Sequence, residues 1–192
     1  MIYEVKRDLD LAKVAVANKV IPLLMQHKEF KCCTFKCLEE YNGANDLAKL
    51  LDISAGIDYL IITPNGLLGM AVRCQQAYYN SDNLQVKYHT FTVRQTRDNH
   101  LETEMAKRKD AYDHDCYLPT WTVQAYLKDS WDSDLDYLGI IKTKDMYANY
   151  DKIKIGERKA NGVVFDVIGW KECLINGLRM GIYPATLREE LK

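Results

Sequence analysis

The segment GIDYLIITPNGLLGMAVRCQ, residues 56–75, decides the fold. Runs of strand-forming residues lie on both sides of its short polar turn at 64–66, a pattern typical of two paired strands. The sequence therefore predicts an antiparallel hairpin made of strands 57–63 and 67–75. Side chains alternate along a strand, so Ala71, Arg73 and Gln75 are expected to share one face of the second strand.

Periodicities outside the hairpin predict alternating helices and strands. An amphipathic helix over 8–28 precedes it, with a kink at Pro22 because proline disrupts a helix interior. Strand 86–94 is expected to extend the hairpin into a three-stranded meander. The other expected elements are helix 45–51, helix 101–112, strands 118–127 and 137–142, a helical turn at 145–150, strand 162–168 and helix 170–178. This order predicts a single α/β domain over residues 1–192, with a central mixed sheet flanked by helices.

Composition restricts the classes of function. The chain has 26 Lys and Arg against 27 Asp and Glu, a formal charge of −1. That balance argues against a general basic coat for nucleic acid but leaves room for a local basic groove. Apolar runs fall far short of the roughly 20 residues that a membrane span needs. With no signal peptide, and with six cysteines that are expected to be free thiols, the sequence predicts a cytoplasmic protein without a membrane partner.

The hairpin places an acidic residue near a polar pair. Asp58 lies at the start of the first strand, and Arg73 and Gln75 lie near the end of the second. A carboxylate beside such a pair is a layout that metal-dependent phosphodiesterases use, with Mg²⁺ bound by acids and the phosphate by a cation. A structural interpretation stays open, because an aspartate that caps the turn or pairs with Arg73 across the hairpin also stabilises the fold.

On Gly56-Ile57-Asp58, the hairpin and the helix before it, the chain resembles the PD-(D/E)XK nuclease superfamily. The resemblance implies a restriction-endonuclease-like core in which Asp58 is a Mg²⁺ ligand. The sequence does not match the second half of the motif, which is an acid, any residue and a lysine. If Arg73 takes the lysine position, Ala71 falls at the acid position. A second metal ligand would come from another element, with Asp52 as the candidate; Glu4, Asp8 and Glu29 are further acids.

Polar side chains on other strands indicate a surface for nucleic acid. Thr92 and Arg94 share one face of strand 86–94, and Gln124 lies on strand 118–127, so together they are expected to form a groove for a phosphate backbone. The sequence predicts a nucleic-acid-associated protein of nuclease-like fold, from a phage or mobile element. As an enzyme it would cleave DNA or RNA with Mg²⁺, with Asp58 on the metal, Arg73 on the phosphate and Gln75 orienting water.

The alternative is a catalytically inactive protein of the same fold that binds a protein partner, such as a host defence or replication factor. The residues Ala71 and Arg73 motivate it, because they replace an acid and a tunable base.

Overall fold

The computed structural model describes residues 2–40, 55–76, 78–79, 85–86, 90–96, 103–116, 118–160, 162–178 and 180–183. The chain begins with helix α1 (Ile2–Ala15), a π-helical turn (Val16–Val20) and helix α2 (Ile21–Gln26). Pro22 lies in the first turn of α2, and a proline ring crowds the carbonyl four residues earlier. That carbonyl belongs to Asn18, inside the π turn. The predicted interruption is therefore present, and it lies just before the proline.

Strands and helices follow in an order close to the expected one. None of the described helices has the length and apolar character that crossing a membrane requires. The strands are β1 (Thr34–Cys37), β2 (Tyr59–Thr63), β3 (Gly66–Gln76), β4 (Tyr78–Tyr79), β5 (Gln85–Val86), β6 (Thr90–Arg94), β7 (Trp121–Leu127), β8 (Leu135–Lys142), β9 (Lys154–Ala160), β10 (Val163–Gly169) and β11 (Met180–Tyr183). The later helices are α3 (Glu104–Asp113), α4 (Thr143–Ala148), α5 (Tyr150–Ile153) and α6 (Trp170–Ile175).

Six strands form one large sheet in the order β1-β2-β3-β7-β8-β11. The hairpin β2-β3 is present, with Tyr59 opposite Met70 and Thr63 opposite Gly66. Strand β3 runs parallel to β7, and the other pairs are antiparallel. Every residue of β7 is buried, as expected for a central strand that is covered on both faces. The predicted class, a mixed sheet flanked by helices, is confirmed.

The predicted three-stranded meander is wrong. The part of this segment that forms β6 pairs with β10 in a separate small sheet of order β6-β10-β9, and not with β3. The place beside β3 is taken by β7, whose residues are buried on both faces, whereas β6 alternates buried and partly exposed residues. Strands β9 and β11 were not expected either, because β9 (KIGERKA) is mostly charged and β11 is short. The predicted helix 45–51 lies outside the described residues.

The large sheet is covered by a different layer on each face. On one face Val16, Val20 and Leu24, spaced one turn apart along α1–α2, pack against Met70 and Val123. The other face packs against the small sheet and the helices near it, through a cluster that includes Phe91, Ile141, Ile168 and Trp170. The two faces of β7 and β8 therefore belong to two separate cores.

Trp170 holds the small sheet against the large one. Its ring lies directly on Gly139 of β8, where a Cβ atom would overlap it. Its Nε1 donates to the Tyr137 hydroxyl at 3.2 Å, and that hydroxyl donates to the Thr90 carbonyl of β6 at 2.5 Å. The Phe91 ring centroid lies 4.6 Å from that of Trp170. Helix α6, β8 and β6 are thus linked through one fully buried side chain.

The substitution Gly139→Ala is expected to lower the free energy of unfolding by about 2 kcal/mol, because the new methyl group forces the Trp170 ring out of place. Denaturant unfolding followed by tryptophan fluorescence measures the loss. Gly156→Ala on β9 is the matched control, since a Cβ at that glycine meets no atom within 4 Å. Equal losses in the two variants would show that the Trp170 contact is not tight.

Candidate functional site

A cavity of about 300 Å³ lies where the last part of β3 approaches β6 and helix α3. We call it the arginine cavity, because Arg73, Arg94 and Arg108 all line it. The sequence-predicted residues among its lining are Asp58, Arg73, Thr92, Arg94 and Gln124. Five side chains from four separate segments were thus predicted for a site, and the fold brings all five to one cavity.

Two other predicted residues are not in this group. Gln75 follows the cavity residues on β3 and is partly exposed, but it does not line the cavity. No step can therefore be assigned to it here. Asp52, the candidate second metal ligand, lies outside the described residues.

Asp58 is positioned by a difference in strand length. Strand β2 pairs with β3 only as far as Met70, so the β3 edge beyond it has no partner from β2. The Asp58 backbone N donates to the Met70 carbonyl at 3.0 Å, and its Oδ2 accepts from the Val72 backbone N at 2.6 Å. The carboxylate therefore satisfies a backbone donor at the place where the ladder ends. This bond gives Asp58 a structural role through the β3 backbone, and the residue also lies in the cavity wall.

Arg73 bridges the two sheets. Its Nη1 donates to the Thr92 carbonyl on β6 at 3.3 Å, although its own backbone belongs to β3 of the large sheet. Its guanidinium carbon also lies 5.0 Å from the ring centroid of Phe165 on β10, and that of Arg94 lies 5.9 Å from the same ring. Two cations of the cavity therefore contact one aromatic side chain of the small sheet.

Arg108 is the residue that sequence reasoning missed. It lies on α3, whose first turn is capped by the Thr103 hydroxyl, and only 6% of it is exposed. Its Nη2 donates to the Gly56 carbonyl at 2.9 Å, while its buried Nε has no hydrogen-bond partner. Gly56 has a φ of +61°, and a Cβ there would come within 3.1 Å of the guanidinium. The glycine of the Gly-Ile-Asp segment thus makes room for Arg108.

Gln124 and Cys74 add polarity to the cavity wall but no charge. Gln124 is 1% exposed, and its Nε2 donates to the Ala125 carbonyl at 3.3 Å. Burial raises the pKa of the Cys74 thiol to about 12, a shift that nearby Lys19 partly opposes. Cys74 is therefore neutral at pH 7. Among the described residues of the lining, the charged groups are three guanidiniums and the carboxylate of Asp58, so this part of the cavity wall is positive.

These donors do not fit a resident Mg²⁺ ion. Mg²⁺ needs oxygen ligands in a near-octahedral arrangement, whereas the described lining offers one carboxylate, and one of its oxygens already accepts from Val72. Three guanidiniums around that carboxylate repel a cation. Across the described ranges, no group of three or more His, Cys, Asp or Glu side chains is placed to hold a metal ion. The arrangement suits an anion instead.

Comparisons with protein-family models, with curated proteins and with solved structures found no match. The resemblance to the PD-(D/E)XK superfamily therefore stays a prediction from the residues that carry it.

The structural role of Asp58 is testable by comparing two variants. Asp58→Ala leaves the Val72 N–H without the carboxylate oxygen it now donates to, so the free energy of unfolding is expected to fall by about 1–2 kcal/mol. Asp58→Asn keeps an acceptor oxygen and is expected to lose less than half as much. Urea unfolding curves measure both changes. If the two variants lose the same stability, the charge of the carboxylate matters more than its hydrogen bond to Val72.

Proposed function

We propose that the protein binds nucleic acid by holding a backbone phosphate in the arginine cavity. Guanidinium groups form paired, charge-assisted hydrogen bonds with phosphate oxygens, and arginine is favoured wherever that recognition matters. Three of them, Arg73, Arg94 and Arg108, line a cavity of about 300 Å³, which lies at the small end of the range for ligand sites. Gln124 and Thr92 supply uncharged polar groups beside them.

The burial of Arg108 is the observation that carries this proposal. A guanidinium removed from water costs free energy unless an anion or hydrogen-bond acceptors compensate it. Within the described part of the chain, no carboxylate forms an ion pair with Arg108, and its Nε is buried without a partner. A phosphate in the cavity supplies both the negative charge and the missing acceptor.

Binding is proposed without hydrolysis. A cleavage step through Mg²⁺ needs a cation site, and the described donors around Asp58 do not provide one. The proposal therefore follows the alternative prediction from the sequence, a catalytically inactive protein of the same fold. It differs from that prediction in that the partner is nucleic acid and not a protein. The resemblance noted in the sequence supports nucleic acid as the partner, because Asp58 and Arg73, which it assigns to one site, both line the cavity.

Fluorescence anisotropy with labelled DNA and RNA oligonucleotides tests the proposal over a series of salt concentrations. Arg73→Gln and Arg94→Gln are each expected to weaken binding about tenfold at moderate salt, and to lower the slope of log affinity against log salt by about one, because each removes one phosphate contact. Lys171→Gln is the matched control, since this exposed lysine on α6 lies outside the cavity. Unchanged affinity and slope in both arginine variants would refute the proposal.

The same assay separates binding from cleavage. Affinity in EDTA is expected to equal affinity in Mg²⁺ or Mn²⁺ within about twofold, since screening by the divalent ion is then the only difference. The labelled strands are also expected to stay intact. Cleavage that needs the divalent ion and disappears in Asp58→Ala would overturn the metal-free part of the proposal.

A further inference from the structure

The outer face of the small sheet carries an aromatic residue between two arginines. Phe165 on β10 lies directly opposite Arg94 of β6 on one side and Arg158 of β9 on the other. Directly opposed residues of antiparallel strands project from the same face of a sheet. The three side chains therefore form one row across the sheet, which we call the Phe165 row.

The opposite face of the small sheet is the one that packs into the core. Val93 and Ile168 belong to the buried cluster around Trp170, and Asp166 is fully buried with an acceptor bond from the Tyr150 hydroxyl. Because side chains alternate along each strand, Phe165 and its neighbours point away from that core. The partial exposure of Phe165 and the exposure of Arg158 agree with this placement.

The side of the row towards β9 is open. Gly156 lies opposite Val167, two residues along from the row on the same face, and a Cβ at Gly156 would meet no atom within 4 Å. The packing on this side therefore leaves space for a planar group to approach. Phe165, which is partly exposed, lies two residues along β10 from the residue that faces this space.

Arg73 connects the row to the arginine cavity. The guanidinium that lines the cavity also lies 5.0 Å from the Phe165 ring centroid, and Arg94 belongs to both the cavity and the row. A phosphate held by these arginines is thus adjacent to an aromatic ring and to guanidinium planes, the two kinds of surface on which unpaired bases stack.

We propose that the ligand is single-stranded nucleic acid, with a phosphate in the arginine cavity and the neighbouring base stacked on the Phe165 row. The inference rests on the proposed phosphate binding and adds the strand type to it. In a duplex, both faces of each base are covered by its neighbours, so only an unstacked base can use this surface. Stacking on an aromatic side chain tolerates every base, and little sequence preference is expected.

Three labelled ligands of equal length test this with the wild-type protein: a thymidine strand of about 12 nucleotides, the corresponding abasic strand, and a blunt duplex. The abasic strand keeps the phosphates and removes every base. The thymidine strand is expected to bind about tenfold more tightly than either of the others at the same salt concentration. A strand that contains 2-aminopurine is expected to change its fluorescence on binding, since stacking on a ring alters that signal.

Variants locate the effect at the row. Phe165→Leu is expected to bind the thymidine strand about tenfold more weakly and the abasic strand as the wild type does, whereas Phe165→Tyr keeps the ring and the preference. Tyr183→Leu, an exposed aromatic on β11 at the far edge of the large sheet, is the matched control. Thermal unfolding of each variant checks that the fold is intact.

The outcomes separate this inference from the function on which it rests. Equal affinity for the thymidine and abasic strands, or tighter binding of the duplex, overturns the single-strand inference while the salt-dependent phosphate binding remains. If Arg73→Gln and Arg94→Gln leave binding of all three ligands unchanged, the phosphate proposal fails as well. A preference for the thymidine strand that survives Phe165→Leu in a folded protein also refutes the assignment to the Phe165 row.

Discussion

The packing of Trp170 on Gly139 is the constraint on which the arrangement of the site depends. It fixes the distance between the two sheets at β8, and the hydrogen bonds from Trp170 through Tyr137 to Thr90 fix where β6 lies above the large sheet. With β6 held there, Arg73 of the large sheet reaches the Thr92 carbonyl. The arginine cavity thus lies where edge strand β6 approaches β3, and its geometry follows from how tightly the core shared by the two sheets closes.

The unequal lengths of β2 and β3 have two consequences at the same place. Beyond Met70 the edge of β3 has no β2 residue beside it, so the Val72 N–H needs another acceptor, and the Asp58 carboxylate provides it. The same unpaired length leaves space in which Arg73 and the buried Arg108 can face a ligand. A backbone requirement therefore engages the carboxylate that the sequence offers as the first metal ligand, and the charge that remains among the described lining residues is positive.

Local alternation made a large part of this site predictable. A period of two puts Arg73 on one face of β3, and Thr92 with Arg94 on one face of β6. This alternation does not depend on which strands pair with each other. The partner of β6 was not predictable, because it is chosen by burial against Trp170, almost 80 residues further along the chain. Arg108 escaped notice because it lies between Lys107 and Lys109, where a solvated helix face is the normal expectation.

The differences between this sequence and the nuclease motif that it resembles affect the charge of the cavity lining. A metal site collects carboxylates, which would repel a phosphate unless a cation neutralised them, whereas this cavity has alanine at position 71 and guanidiniums at positions 73, 94 and 108. Compared with the motif that the sequence resembles, Ala71 in place of an acid and Arg73 in place of a lysine remove a carboxylate from the lining and keep a cation. The two replacements and the burial of Arg108 act in the same direction. Together they give the described lining more positive than negative charge, an arrangement that favours an anion over a cation.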